Sequence, residues 1–121
     1  MVLHIETVSI DATDPQSLAG FWSAVLGWSN RVDDDGDVWV EPSAGQPGHG
    51  SARPLLFLRV PEPKTVKNRI HLDLRPDDQE QEIERVVGLG ASRPSIGQTG
   101  HETWVVLADP EGNEFCILSE Q

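Results

Sequence analysis

The chain has 121 residues, 37% of them apolar, and nine Lys and Arg against 20 Asp and Glu give a net charge of −11. At roughly 100–200 residues per domain this length predicts one compact domain, and the acidic balance excludes a general nucleic-acid binder, which needs a Lys and Arg surplus. A single cysteine, Cys116, excludes an intrachain disulfide and a multi-cysteine zinc site. No apolar run approaches the roughly 18 residues of a spanning helix, and no basic-then-apolar leader opens the chain, so the expectation is a cytoplasmic protein off the membrane.

Residues 7–11 alternate polar and apolar, the period of a half-buried strand. Asp14-Pro15 then supplies a helix start, because the carboxylate accepts from orphan N–H groups and Pro lacks the N–H that would go unpaired. Leu18, Phe21, Trp22, Val25 and Leu26 follow at helical spacing, and Gly27 suits the left-handed residue that closes such a helix. An acidic turn over residues 33–37 leads into a predicted strand at Val38-Trp39-Val40, and the Pro- and Gly-rich stretch 42–54 reads as a loop. The turn lacks the 12-residue pattern of a calcium loop closing on Glu. Leu55 to Val60 predicts another strand, and the two prolines of residues 61–68 mark a connector.

Beyond the connector the order restarts. Ile70 to Leu74 alternates, with His71 and Asp73 on the polar side, and Asp77 with Glu80 predicts a capped second helix carrying Ile83, Val86 and Val87. Trp104 to Ala108 and Phe115 to Leu118 predict a hairpin around Asp109-Pro110-Glu111-Gly112-Asn113. Each half thus reads strand, helix, strands: a first module over about 1–60, a linker over 61–68 and a second module over about 69–121. A Gly-Gln-x-Gly-His pattern occurs at Gly45–His49 and again at Gly97–His101, but at inequivalent places in the two halves, which speaks against a shared metal site.

Asp14-Pro15 to Leu26-Gly27, the linker, His71-Leu72-Asp73-Leu74 and Ala108 to Phe115 together resemble the vicinal oxygen chelate superfamily, in its glyoxalase-like, bleomycin-resistance-like branch. The resemblance implies an α+β fold of two βαβββ modules whose mixed sheet curls around a cavity, usually in a homodimer. It also implies four ligand positions in metal-dependent members. Here they fall on Thr7, a residue near Leu56, His71 and Cys116, so His71 alone is a strong ligand and no tightly held cofactor is expected.

Parity along the strands gathers Thr7, Ser9, Trp39, His71, Asp73, Trp104 and Cys116 as the candidate binding surface, with flat apolar walls and a few orienting polar groups. The first expectation is a metal-independent binder of a small organic molecule, aromatic or anionic, with His71 and Asp73 as candidate acid–base residues. The alternative is a metal-dependent lyase, isomerase or dioxygenase using His71 with a carboxylate such as Glu6, Glu41 or Glu114. A third is a regulatory or structural dimer with a vestigial cavity. The anionic option rests on charge distribution: Arg53 to Arg75 holds six of the nine basic residues with two acids, a local +4 leading into His71.

Overall fold

A computed structural model describes residues 1–95, 100 and 102–120, and the chain divides into two compact units, Met1–Pro63 and Lys64–Gln121. In the first unit, strand β1 (Val8–Ala12) and helix α1 (Pro15–Leu26) are followed by β2 (Ser29–Val32), β3 (Val38–Glu41) and β4 (Leu55–Arg59). The sheet order is β1-β4-β3-β2, with β1 parallel to β4 and the other pairs antiparallel. Helix α1 starts where the sequence places it. Asp14 caps it by accepting from the Ser17 N–H at 3.2 Å, Pro15 takes the first position, and Gly27 ends it at φ 68°. Its apolar face buries Leu18, Phe21 and Trp22 against the sheet residues Val38, Val40, Leu55 and Phe57, and Phe21 meets Trp22 edge to face at 5.4 Å. Each such side chain contributes roughly 1.5–3 kcal/mol by leaving water, which is what holds the unit together.

Strand β2 has no counterpart in the sequence reading. All four of its residues are exposed, so no apolar alternation marks it. It forms because β3 offers an open ladder, and its polar side chains suit a sheet edge. The loop 42–54 is folded on itself: Gln46 donates to the Gly27 carbonyl at 2.8 Å and His49 Nδ1 lies 3.2 Å from the Pro42 carbonyl. The first Gly-Gln-x-Gly-His motif is therefore a structural turn. Residues 97–99 and 101 of the second lie outside the described residues.

The second unit holds β5 (Asp73–Leu74), α2 (Gln79–Gly88), β6 (Val105–Ala108) and β7 (Glu114–Ile117), in sheet order β5-β7-β6. Again the first strand is parallel to the last, and the last two form a hairpin. A single bridge, Ser92 to Ala108, sits on the free side of β6, the place β2 takes beside β3. Pro94 follows at once and cannot donate to a ladder. The first unit thus carries the β-α-β-β-β order and the second, among the described residues, β-α-β-β with that bridge beside β6, and the α+β fold expected from the sequence is present.

Several details of the second unit differ from the sequence reading. The strand predicted over 70–74 is regular only at Asp73–Leu74, because Ile70 is 83% exposed and has nothing to pack on. The cap of α2 is Asp78 rather than Asp77. Asp78 accepts from the Gln81 N–H at 3.0 Å, while the Gln79 N–H is met by Glu120 at 2.9 Å, so Glu80 completes no capping box. Of the α2 stripe, Ile83 and Val86 are buried and Val87 is 41% exposed.

Two five-residue turns share one hydrogen-bond pattern. Asp33 Oδ1 accepts the Asp35 and Asp37 N–H groups at 2.9 and 3.1 Å, and Asp109 Oδ1 accepts those of Glu111 and Asn113, both at 3.0 Å. In each the fourth residue is a glycine at positive φ, 85° at Gly36 and 90° at Gly112. Asp109 is only 3% exposed and also receives the Asn113 side-chain amide. Asp109→Ala strips several buried donors of their acceptor and is expected to lower the unfolding free energy by about 2–4 kcal/mol, read by urea denaturation, whereas Glu111→Ala in the same turn should change it by less than about 1 kcal/mol.

Candidate functional site

The parallel pairing of β5 with β7 places Asp73 opposite Cys116, and the β6–β7 hairpin places Val106 opposite Cys116 on the other side. Alternation along each strand then points Glu114, Cys116 and Leu118, with Trp104 and Val106, to one face. His71 and Asp73 join it from the first strand of the unit. These side chains line a cavity of about 440 Å³, closed further by Lys67, Asn68 and Glu102. The His71 Nε2 lies 3.1 Å from Asp73 Oδ1, both side chains about half exposed, while Cys116 is 6% exposed behind them. Trp104, 45% exposed, supplies a flat apolar wall.

The charges of the cavity are set by pairing. Glu114 accepts from the Lys64 ammonium at 3.0 Å and from the Asn68 N–H at 2.8 Å. Burial pushes this carboxyl up, but the Asn68 N–H and the Lys64 ammonium outweigh it and hold it below the usual carboxylate range. Burial first, and then the Asp73 carboxylate, push the Cys116 thiol up. Of the basic stretch between Arg53 and Arg75, only Lys67 lines the cavity among the described residues, against the carboxylates Asp73, Glu102 and Glu114. Arg59 is spent on the Thr13 carbonyl and Arg75 on the Ser119 carbonyl.

A family model described as a glyoxalase-like domain matches residues 7–118. The chain belongs to this family. Three solved structures show how widely the glyoxalase-like fold is shared. The antibiotic-binding protein TnmS3 from Streptomyces sp. CB03234 is 20% identical with a TM-score of 0.65, over 99% of this chain and 98% of that one. A bleomycin resistance determinant encoded on the transposon Tn5 is 20% identical at 0.61, over 98% and 99%. The fosfomycin resistance protein FosX from Listeria monocytogenes, in complex with Mn(II) and dihydroxypropylphosphonic acid, is 12% identical at 0.70, over 100% and 93%. No curated protein sequence matches the chain.

Of the seven residues the sequence selects, His71, Asp73, Trp104 and Cys116 line this cavity. Thr7, Ser9 and Trp39 belong to the first unit. There Trp39 donates its indole N–H to Asp33 at 2.9 Å and stacks under Arg31 at 5.2 Å, and the indole N–H holds the Asp33 carboxyl below its ordinary range. The cavity residues the sequence reading did not place in a binding surface are Lys67, Asn68, Glu102, Val106, Glu114 and Leu118. Glu114 and Leu118 share strand parity with Cys116, and Val106 with Trp104, so a signal for those three was present. Lys67 and Asn68 sit in an irregular segment, where no periodicity applies.

The residues present do not fit a hard divalent ion such as Mn(II). Such an ion takes oxygen and nitrogen donors. The cavity offers a single imidazole, on His71, beside the Cys116 thiol, which burial and the Asp73 carboxylate push up, and a thiol is a poor donor to such an ion. Glu6 pairs with His4, Glu41 with Arg31 and Glu114 with Lys64.

The depressed Glu114 carboxyl contributes stability above its ordinary value of 4.5, and that contribution is lost as pH falls through the lower folded value. Glu114→Gln is expected to cost about 1–3 kcal/mol at neutral pH, with the gap to wild type closing below pH ~4, measured by urea denaturation across pH. The raised Cys116 thiol should react slowly with a disulfide reagent at neutral pH. Asp73→Asn removes a negative neighbour, increases the thiolate fraction and should speed the reaction severalfold.

Proposed function

We propose that this glyoxalase-like protein binds a small, flat organic molecule in the cavity of its second unit, without a resident hard metal ion, and that the molecule is neutral or cationic rather than anionic. The observation carrying this reading is the lining itself: a Trp104 wall faces the His71–Asp73 pair in a space of about 440 Å³. That volume falls within the roughly 300–1,000 Å³ of small-molecule sites. Stacking on the indole would orient a ring, and Asp73 and Glu102 would receive its N–H or ammonium groups. Asp73 and Glu102 against Lys67, with Glu114 already answered by Lys64, would penalise a carboxylate or phosphonate ligand. The antibiotic-binding and bleomycin-resistance neighbours support a binding role through fold alone.

A second reading is metal-free acid–base catalysis, favoured by the 3.1 Å His71–Asp73 contact, which fixes the imidazole and leaves half of it open to the cavity. Assembly as a cytoplasmic homodimer of duplicated modules completes the proposal, to be checked by light scattering.

The decisive experiment is a thermal-shift and calorimetric panel of matched planar amines, neutral heteroaromatics and carboxylates. Amines and neutral rings are expected to bind, with Trp104→Ala weakening them about tenfold or more, in line with the 1–3 kcal/mol that base-sized rings gain by stacking. Carboxylates binding tightest, or affinity unchanged in Trp104→Ala, would overturn the reading.

A further inference from the structure

Asn68 is held in the cavity wall by two bonds to one residue of β7. Its backbone N–H donates to Glu114 Oε1 at 2.8 Å and its side-chain Nδ2 to the Glu114 carbonyl at 3.3 Å, while the Lys64 ammonium donates to Glu114 Oε2 at 3.0 Å. A carbonyl oxygen can only accept, so this contact fixes which end of the Asn68 amide is nitrogen and turns Oδ1 away from that carbonyl. Asn68 lines the cavity, and among the described residues no protein donor meets its Oδ1. The wall therefore presents an acceptor that is open and already oriented by the fold. A ligand that uses it pays little for ordering the amide.

The register of β7 gives this acceptor a place. Asn68 sits at the level of Glu114, Asp73 is paired with Cys116, and Val105 is paired with Ile117, so Trp104 stands at the Leu118 end. Indole, carboxylate and amide thus follow one another along β7, the last two separated by two residues, or about 6.5 Å along a strand. That is about the reach across a fused two-ring system. We infer that the ligand lies lengthwise along β7 and that Asn68 selects it, accepting from an N–H group at the end remote from Trp104, with Glu114 as the positioning residue that holds the amide. The ligand class is an elongated flat amine with a donor for Asp73 and a second donor for Asn68. A ligand without the second donor forgoes that hydrogen bond and crowds Oδ1 without answering it. This inference rests on the organic-ligand reading and narrows it.

The test is calorimetric titration of the full chain with three probes that share one end: 2-aminoquinoline, 2,6-diaminoquinoline, and 2-amino-6-methoxyquinoline, which carries an acceptor in place of the second donor. 2,6-Diaminoquinoline is expected to bind about three- to tenfold tighter than either of the others, the worth of one hydrogen bond. Asn68→Leu keeps the backbone N–H held by Glu114 and removes the amide, so the three affinities should converge. Glu114→Gln sets a side-chain donor against the Lys64 ammonium and loosens the grip, so the preference should shrink with Asn68 intact. Added to Asn68→Leu, it should shrink the preference no further, because the two residues act as one unit. A merely structural role would weaken the three probes alike and leave their ratio unmoved. The Asn68→Leu result stands by itself where Glu114→Gln lowers the melting temperature. Equal affinity for 2,6-diaminoquinoline and 2-aminoquinoline, a preference for the methoxy compound, or a preference that survives Asn68→Leu would each overturn the inference, while Trp104→Ala weakening all three probes would leave the organic-ligand reading in place. Binding by none of the three overturns the inference too, and the broader panel above then decides the organic-ligand reading by itself.

Discussion

Every feature of the cavity passes through the parallel contact between β5 and β7, which is short: Asp73 beside Cys116 and Leu74 beside Ile117. A two-residue strand gains little from its own ladder, and its partner lies about forty residues away, so closing that loop costs entropy before any contact rewards it. The ends of the pairing show what holds it. The Cys116 N–H donates to Leu72 and the Leu118 N–H to Leu74, at 2.9 and 2.8 Å. Upstream, Glu114 takes the Lys64 ammonium and the Asn68 N–H, with both charged side chains largely buried at 20% and 11% exposure. The irregular segment before β5 is thereby fastened to β7 by a carboxylate rather than by a ladder. Glu114 is thus a structural member of the cavity wall, its charge already answered.

The first unit shows the same connectivity with a fuller sheet, and the comparison explains what the second has given up. Both place the first strand against the last and carry one helix between the first and second strand positions. In the first, β2 pairs with β3 over four residues; in the second, the described residues give the single bridge from Ser92 to Ala108. The Asp33 and Asp109 turns are alike in hydrogen bonding yet stand at different places, between β2 and β3 in one unit and between β6 and β7 in the other. They are a local solution to a tight reversal, an aspartate that gathers the N–H groups two and four residues on. Asp33, Asp35 and Asp37 lie close enough to hold an ion, but Asp33 is committed to two backbone N–H groups and the Trp39 indole. Their proximity follows from the turn.

Local chemistry was the most legible part of the fold. Asp14-Pro15 to Gly27 and the Asp109 to Asn113 turn declare themselves because their signals are contained within a few residues. Strand β2 was illegible for the opposite reason: Ser29 to Val32 is polar and exposed, and its strand state is imposed by β3. The 70–74 alternation was over-read, because period-two patterning reports a face that could be buried and nothing in the sequence says whether anything covers Ile70. At the site, parity and family resemblance together brought His71, Asp73, Trp104 and Cys116 to one surface. The same parity contains Glu114 and Leu118, so their place on this face was legible as well. Lys67 and Asn68 were beyond reach, since irregular backbone carries no period.

A local run of charge along the chain need not carry over to the lining of a cavity. The positive stretch between Arg53 and Arg75 runs straight into His71, which made an anionic ligand reasonable on sequence. Folding distributes those cations elsewhere: Lys64 to Glu114, Arg59 and Arg75 to backbone carbonyls, with Lys67 the member that lines the cavity among the described residues. Asp73 and Glu102 outnumber it, Glu114 being answered by Lys64, and Cys116 adds a neutral thiol. The acidity of the chain as a whole therefore reappears in its cavity. On the binding reading proposed above, a cavity with this balance would favour an ammonium held beside the Trp104 indole, and Asp73, which already holds His71 at 3.1 Å, is the carboxylate such a group would meet.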